Sequence, residues 1–199
     1  MSNINTIHSS AKEDRTDAPQ PEEILSHNTT LGDSAVADGI GQDRIQLRAH
    51  EIYVQREQQP DRAMDDWLQA EREWNKALVL QAFDMLFNKR DYSAAKRLWS
   101  PDYIQHSAHI EPGREGLFNL IKSLPPTLKY EPGTIVAEGD FVIVHGRFSG
   151  FGQPVNWIAA DIVRIKDSVL AEHWDVIQDE ATRRESKSGL PMFGDSFNE

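Results

Sequence analysis

Between Asn156 and Gln178, three ionisable residues stand at strand positions where apolar side chains are expected. They are Asp161, His173 and Asp175, and each stands where a β-strand would otherwise carry an apolar side chain. Burying a carboxylate or an imidazole costs free energy, and proteins tolerate that cost mostly where a proton is moved or a polar ligand is held. We therefore take these residues as the centre of a candidate acid–base site in an apolar pocket.

The same stretch predicts two strands joined by a tight turn, and the length of that turn decides which side chains meet. A three-residue turn over 166–168 puts Asp161 opposite His173, whereas a two-residue turn over 167–168 puts Asp161 opposite Trp174. We favour the three-residue turn, because it divides the hairpin into two consistent faces. One face then holds Trp157, Ala159, Asp161, Val163, Ala171, His173, Asp175 and Ile177, and the other holds Ile158, Ile162, Leu170, Trp174 and Val176.

These residue types fit proton transfer at a carbon atom next to a carbonyl group. A carboxylate removed from water becomes a stronger base, and a neutral imidazole beside it can donate a hydrogen bond or orient it. A donor must also stabilise the oxygen on which negative charge develops. The alternative is structural: Asp161 and His173 would then only satisfy each other as a polar bridge between two strands.

Other histidines are candidates for the same pocket. Strand alternation puts His145 on one face with Arg147, where it either lines the pocket or is partly exposed. His106 and His109 stand just before a loop. We expect a pocket position for His106 and a position on the loop surface for His109.

Arginine and tryptophan side chains complete the candidate set. Arg147 and Arg164 can clamp an anionic group, although arginines on a sheet surface more often pair with acids such as Glu172. We expect Trp157 to form part of the cavity wall and Trp174 to lie in the core.

Several other chemistries lack their sequence signatures. The histidines show no His-x-His or His-x3-His spacing, and a metal site would need ligands from separate segments, so we expect no metal. There is no Gly-rich phosphate loop, no Gly-x-Ser-x-Gly elbow and no cysteine. Nucleotide, serine-hydrolase and thiol chemistry are therefore not expected.

The composition favours one ordinary domain with tails and opposes some classes of partner. The chain has 199 residues and a formal net charge of -11, which disfavours nucleic acid and anionic membrane as partners. It has no long apolar run, and its N-terminal sequence has neither the basic start nor the apolar centre of an export signal. We expect a cytoplasmic protein.

The pattern divides the chain into four parts. Residues 1–42 are acidic, polar and free of aromatic residues, which predicts a disordered tail. Residues 43–75 carry two helical patterns, as expected of a helical hairpin. Residues 76–180 begin with helices and end with a run of antiparallel strands, which predicts an α+β fold with helices on one face of a curved sheet. Residues 181–199 form a polar C-terminal tail.

Within the third part, element boundaries follow from caps and breakers. Asp91 is expected to cap a short helix that ends at Ser100-Pro101. The pattern predicts a further helix over 113–124 and strands at 103–106, 134–137, 141–148, 155–165 and 169–177.

The helical hairpin carries a recognisable set of residues, and with them it resembles a short bacterial domain of unknown function. Glu57 stands where that domain usually has glycine after its arginine. The simplest role of the set is packing of the hairpin, so the resemblance implies a module and not an activity. The set is Ala49, His50, Ile52, Tyr53, Arg56, Asp66, Trp67, Leu68, Ala70 and Glu71.

Three further segments carry a second resemblance, YIQHSAHIEPGREG, IVAEGDFVIVHGRF and DIVRIKDSVLAEHWDVIQ. Over residues 73–180 the chain resembles the SnoaL-like polyketide cyclases of the nuclear-transport-factor-2-like superfamily, especially the branch described as aldol-condensation-catalysing. The resemblance implies a cone-shaped fold around an apolar cavity, a homodimer formed through the sheet, and catalysis without metal or organic cofactor. It assigns the catalytic aspartate to Asp161 and the strand histidine to His145, and it places Gln105 and His106 in the pocket.

We therefore expect a cofactor-free acid–base catalyst, a cyclase, aldol-condensing enzyme or isomerase, that acts on a small apolar carbonyl compound. One alternative is a non-catalytic module that binds a small molecule while residues 43–75 recruit a protein partner. Another is epoxide hydrolysis by an Asp-Arg-Asp relay built from Asp161, Asp175 and either Arg147 or Arg164. The expected catalytic residues are Asp161, His145 and His173, and the expected ligand contacts are Gln105, His106, Trp157, Asp175 and Arg147.

Overall fold

The structure of the protein is a computed structural model that describes residues 33–197. Most of the predicted disordered tail, residues 1–32 of 1–42, therefore lies outside the described residues. In chain order the elements are α1 (Asp33–Gln55), α2 (Ala63–Phe83, extended by a π-helical turn at Asp84–Asn88), α3 (Tyr92–Leu98), β1 (Trp99–Gln105), α4 (Gly113–Ser123), β2 (Lys129–Glu138), β3 (Phe141–Ser149), β4 (Trp157–Lys166) and β5 (Val169–Asp179).

Most helices and strands lie where the sequence pattern predicts them. Helix α4 and strands β2 to β5 overlap their predicted segments. The expected cap of α3 is also present, since the Asp91 carboxylate accepts a hydrogen bond from the Ala94 backbone N–H at 2.9 Å. Helix α1 begins at Asp33, earlier than the predicted start at Asp43. Among the described helices, none has the length and apolar character needed to cross a membrane.

Within residues 33–197 the strands form one sheet in the order β1-β5-β4-β3-β2. The β1 strand runs parallel to β5, whereas all other neighbours are antiparallel. The sheet is therefore mixed, although the sequence pattern predicted antiparallel strands throughout. Pro101 lies inside β1, which is possible because β1 is an edge strand. The parallel pairing places Gln105 beside His173.

The helices α2, α3 and α4 pack on one face of this sheet, which we call the inner face, and enclose the hydrophobic core. The fold is therefore α+β, as predicted. We call the opposite side the outer face, and it carries Phe141, Ile143, His145, Arg147, Ile162, Trp174 and Val176. The largest fully buried side chains of the core are Trp99, Phe118, Leu86, Leu170, Val79, Val142, Val144 and Val163.

Helices α1 and α2 contact each other as the predicted helical hairpin. The Arg56 guanidinium pairs with the buried Asp66 carboxylate at 2.7 Å and ties the two helices together. Asn75 on α2 donates a hydrogen bond to the Gly139 carbonyl at 3.0 Å, which attaches the hairpin to the β2–β3 turn. The small core of the hairpin contains Ile45, Ile52 and Ala70, with Ala49, Trp67 and Trp74 packed against it.

The turn between β4 and β5 is shorter than predicted. Asp167 and Ser168 form it alone, with φ angles of 52° and 57°, and Lys166 pairs with Val169. Two successive residues with positive φ are typical of a type I′ hairpin, whose twist matches that of the strands. The predicted three-residue turn is therefore wrong.

A β-bulge follows the turn and shifts the strands by one more residue. Arg164 pairs with Glu172, but Ile165 pairs with Leu170, so Ala171 has no partner in the ladder. The bulge turns Leu170 into the hydrophobic core, although alternation from the predicted turn placed it on the other face.

Candidate active site

A cavity lies between the inner face of the sheet and the helices. Its volume, taken as the space open to the centre of a water molecule, is about 80 Å³, and one water needs about 10–15 Å³. The walls are mainly apolar, with aromatic and aliphatic side chains together, and no lysine or arginine is found among the described residues that line the cavity. The rings include Phe83, Phe87, Trp99, Phe148, Phe151 and Trp157, and the polar side chains are Tyr103, Ser107, His109, Asp161, His173 and Asp175.

Asp161 and His173 meet in the wall of this cavity. Their relative exposures are 3% and 7%, and His173 Nε2 lies 3.1 Å from Asp161 Oδ1. They are diagonal neighbours, because His173 pairs with Val163 and Asp161 pairs with Asp175. The structure thus brings together the two residues on which the sequence analysis centred, through a register different from the predicted one.

Gln105 determines which nitrogen of His173 carries hydrogen. Its Oε1 lies 2.9 Å from the Ser107 backbone nitrogen, and an N–H group can only donate, so this atom is the amide oxygen. The same oxygen lies 3.0 Å from His173 Nδ1. His173 Nδ1 therefore carries a hydrogen and donates it to Gln105.

This tautomer leaves one proton to be shared between Asp161 and His173. A neutral imidazole with hydrogen on Nδ1 presents a lone pair at Nε2, and an ionised carboxylate presents lone pairs as well. A hydrogen bond across the 3.1 Å gap therefore requires a proton either on Nε2 or on the carboxyl group. In both arrangements the pair as a whole carries no net charge and can take up or release a proton.

Tyr130 on β2 contacts the second carboxylate oxygen, and the sequence analysis did not find it. Its hydroxyl donates to Asp161 Oδ2 at 3.4 Å. Gly146 makes room for this ring, since a Cβ atom at that position would stand 2.3 Å from the Tyr130 hydroxyl. The signal in the sequence is an isolated glycine inside a strand, which marks a close approach. Burial raises the pKa of Tyr130, and the nearby Asp161 raises it further, so this hydroxyl remains a donor.

Tyr103 on β1 is a phenol that lines the cavity, and it was also missed. Burial raises its pKa, with a further contribution from the charges of Asp161 and Asp175. The side chain therefore keeps its proton and can donate a hydrogen bond to a bound molecule.

Asp175 lines the cavity as the sequence analysis expects of a ligand contact. It stands directly opposite Asp161 in the β4–β5 ladder and is half-buried. None of the hydrogen bonds or ion pairs of the described residues involves its carboxylate, so its charge faces the cavity without a cation beside it.

Two of the predicted site residues lie on the outer face, away from the cavity. Strand alternation puts His145 and Arg147 on the side opposite Val144 and Gly146. The ring of His145 lies 5.7 Å from that of Phe193 in the C-terminal tail, and Arg147 forms ion pairs with Glu131 at 2.9 Å and Glu180 at 3.4 Å. The structure therefore corrects the expected catalytic position of His145 and the expected ligand contact of Arg147.

His106 also lies on the outer face and not in the pocket. Its Nε2 is 2.8 Å from Glu172 Oε1, and its ring stacks on Trp174 with 4.7 Å between centroids. The hydrogen bonds from His106 and Arg164 lower the pKa of Glu172. Trp174 was expected to lie in the core, but it stacks on His106 instead. Neither Arg147 nor Arg164 lines the cavity, so the Asp-Arg-Asp relay of an epoxide hydrolase is not assembled there.

The remaining expectations concern the cavity wall and its mouth. Trp157 lines the cavity, packed on Phe151 with 4.5 Å between ring centroids. His109, expected on the loop surface, is exposed but also lines the cavity, with its ring 6.2 Å from that of Trp157. Gln105, an expected ligand contact, does not line the cavity, but it forms hydrogen bonds with His173 and Tyr103, which do. In the part of the chain that the structure describes, no three His, Asp or Glu side chains are grouped to hold a metal ion.

The fold and the cavity define an α+β protein of the nuclear-transport-factor-2-like class, and comparison with known families agrees. Residues 79–173 match the SnoaL-like domain, and residues 41–74 match a protein family of unknown function, DUF2934. The chain therefore contains a SnoaL-like domain preceded by a DUF2934 region. A search of curated protein sequences finds no match to it.

Among solved structures, one with a TM-score above 0.5 shares the fold. A proposed ketosteroid isomerase from Kribbella flavida is 17% identical, with a TM-score of 0.52, over 64% of this chain and 98% of that one. AclR from Streptomyces galilaeus, a proposed hydroxylase, is 29% identical over 52% of this chain and 78% of its own, with a TM-score of 0.43. IdmH from Streptomyces antibioticus, a proposed polyketide cyclase, is 20% identical over 52% and 91% of the two chains, with a TM-score of 0.43.

Proposed function

We propose that this cavity is the active site of a cofactor-free acid–base catalyst, a cyclase, aldol-condensing enzyme or isomerase that acts on a small uncharged carbonyl compound. The observation that carries the proposal is the buried Asp161–His173 pair, which shares one proton beside an apolar cavity. The SnoaL-like domain supports this choice, because the sequence resemblance implies chemistry of the same kind.

The proposed reaction begins with removal of a proton from carbon. When the shared proton is on His173, Asp161 is ionised and its carboxylate accepts a proton from the carbon next to the carbonyl group. The C–H electron pair forms a carbon–carbon double bond, and the carbonyl π electrons move to oxygen. In ring closure this enolate then attacks a second carbonyl group of the same molecule. In isomerisation a proton returns to a different carbon. Either way Asp161 gives its proton back to the product.

The charges in the cavity favour an uncharged ligand. Asp175 presents a carboxylate, and no lysine or arginine stands among the described lining residues to balance a second anion. A carboxylate or phosphate group on the ligand would be removed from water next to a like charge, which is unfavourable in an apolar environment.

Deuterium exchange tests the proton-transfer step without knowledge of the natural substrate. The probe is 1-tetralone, an uncharged aromatic ketone with exchangeable protons next to its carbonyl group. We expect the protein to accelerate incorporation of deuterium from D₂O, as followed by proton NMR. Asp161→Asn keeps the shape of the side chain but removes the base, so the acceleration should fall by about 10²–10⁴-fold.

His145→Ala is the matched control, because His145 lies on the outer face of the sheet. This variant should exchange deuterium at the wild-type rate. If exchange persists at the wild-type rate in a folded Asp161→Asn protein, Asp161 is not the base.

A non-catalytic binding function is the second candidate, and the DUF2934 hairpin favours it. Helix α1 exposes the apolar side chains of Leu47 and Val54, which suit contact with a protein partner. In this case 1-tetralone would change the fluorescence of Trp99 and Trp157 in the cavity wall, but the protein would not accelerate exchange. The two measurements together separate a catalyst from a binding module.

A further inference from the structure

The hydrogen bonds around Tyr103 leave one proton unused. Tyr103 is 5% exposed and lines the cavity. Gln105 Nε2 donates to the Tyr103 hydroxyl oxygen at 3.3 Å, and the direction is certain because Gln105 Oε1 faces the Ser107 N–H. The phenol oxygen is therefore an acceptor in this bond, and no described side chain accepts the Tyr103 proton.

The buried indole of Trp99 stands beside this phenol. Its side chain is 1% exposed and lines the cavity, and its Nε1 makes no close hydrogen bond within the described residues. Burial raises the pKa of Tyr103, and a weak hydrogen bond from the Trp99 N–H group to the phenol oxygen partly offsets that rise. Gln105 and Trp99 thus both donate toward the Tyr103 oxygen, and the Tyr103 proton has no acceptor in the described part of the chain.

A ligand oxygen can satisfy the Tyr103 donor. Buried donors without acceptors are costly to a folded protein and rare. A carbonyl oxygen can accept the Tyr103 proton in a hydrogen bond, and the negative charge that forms on this oxygen during proton removal strengthens the bond.

We infer that Tyr103 Oη–H binds the carbonyl oxygen of the ligand and stabilises the charge that develops there. The inference rests on the proposed function, because it names the oxygen-binding group of the same site. Gln105 is the positioning residue. Its Oε1 sets the tautomer of His173, and its Nε2 directs the Tyr103 proton away from itself and toward the ligand.

Infrared spectroscopy of a bound ketone tests this assignment without turnover. The probe is 1-tetralone labelled with ¹³C at its carbonyl carbon, and the measurement is its carbonyl stretching frequency when bound to the full chain. We expect a shift to lower frequency in wild-type protein, since hydrogen bonding weakens the C=O bond. In Tyr103→Phe most of that shift should be lost, and affinity should fall about five- to tenfold.

Gln105→Glu provides a variant that tests the direction of the bond. The introduced carboxylate retains acceptors for Ser107 N–H and His173 Nδ1–H, but it cannot donate to Tyr103. Tyr103 should then turn its proton toward this carboxylate and away from the ligand, so the carbonyl shift should fall as in Tyr103→Phe. Tyr130→Phe is the control, because Tyr130 donates to Asp161, and it should keep the wild-type carbonyl frequency.

The two proposals fail in different ways. A wild-type carbonyl frequency in Tyr103→Phe and in Gln105→Glu, each with 1-tetralone bound, overturns the oxygen-binding assignment. Exchange that still depends on Asp161 in that case leaves the proposed function intact. A carbonyl shift that depends on Tyr103, found in a protein that does not accelerate exchange, shows that the oxygen site exists but that the proposed catalysis is wrong.

Discussion

Tyr103 and Tyr130 are the residues whose ionisation the fold changes most clearly. Burial raises the pKa of each phenol, and the negative charge of Asp161 adds to the effect at both positions. The folded protein therefore keeps both protons in alkaline solution above the ordinary tyrosine value of about 10. The Tyr103 hydroxyl that lines the cavity and the Tyr130 hydroxyl that donates to Asp161 thus keep their protons over the whole physiological range.

These raised pKa values predict a loss of stability at high pH. Above about pH 10 the unfolded chain releases phenolic protons that the folded protein retains, so the free energy of unfolding falls as pH rises. The stabilising contribution is complete below that pH and is lost as the pH approaches the raised values. Urea unfolding measured from about pH 9 to pH 11 should show this fall, and Tyr130→Phe should reduce its slope by up to about 1.4 kcal/mol per pH unit.

Tyr53→Phe is the control for this measurement, because Tyr53 lies on α1 outside the cavity. It should leave the alkaline slope unchanged. A Tyr130→Phe protein with the full wild-type slope contradicts the assignment.

At the scale of elements, helix α1 ends in a Schellman motif that lacks its usual glycine. The Gln58 N–H donates to the Tyr53 carbonyl at 3.0 Å, and the Glu57 N–H donates to the Val54 carbonyl at 3.1 Å, which is the bond pattern of this motif. Glu57 has a φ of 61°. A side chain in this left-handed conformation costs about 1–2 kcal/mol, which explains why the related bacterial domain usually has glycine there.

Glu57→Gly should therefore stabilise the protein. We expect the free energy of unfolding to rise by about 0.5–1 kcal/mol, less than the full strain because glycine also gains freedom in the unfolded chain. Chemical denaturation of the two proteins measures the difference. Glu51→Gly, in the interior of the same helix, should instead lower the stability by about 1 kcal/mol. Equal effects of the two substitutions would exclude strain at Glu57.

The β4–β5 hairpin shows how far the sequence pattern predicts the site. Alternation assigns Asp161, His173 and Asp175 to one face, and the structure keeps them there. The shorter turn and the bulge each move the register by one residue, and a shift of two residues preserves the face of every side chain beyond the bulge. The direct partner of Asp161 was not predictable, because no glycine or other local signal marks the bulge at Ala171.

Residues that reach the site from distant strands were harder to predict. Tyr103 and Tyr130 look like ordinary apolar positions of a strand, and only the assembled sheet brings their hydroxyls near Asp161. His145 was assigned to the site by resemblance, whereas alternation alone groups it with the exposed Phe141 and Ile143. The strand period was the more reliable guide, because it follows from backbone geometry.

At the scale of the whole molecule, the outer face of the sheet presents an apolar surface. Phe141, Ile143 and Val176 are 44%, 40% and 68% exposed. The C-terminal tail covers a neighbouring part of this face, where the Phe193 ring lies 4.8 Å from the Arg147 guanidinium. A contiguous apolar surface of this kind on a sheet is typical of a protein interface.

We propose that a second copy of the chain covers the exposed part of the outer face, as the sequence resemblance also implies. The double substitution Ile143→Glu and Val176→Glu would place carboxylates in such an apolar interface, where their desolvation is costly, so it should convert a dimer to a monomer. Size-exclusion chromatography with light scattering measures the mass. Leu47→Glu is the control, because Leu47 is similarly exposed (59%) but lies on α1, and it should leave the dimer intact. A wild-type protein that remains monomeric at micromolar concentration contradicts the proposal. If the double variant is monomeric and still binds 1-tetralone, each cavity is complete within one chain.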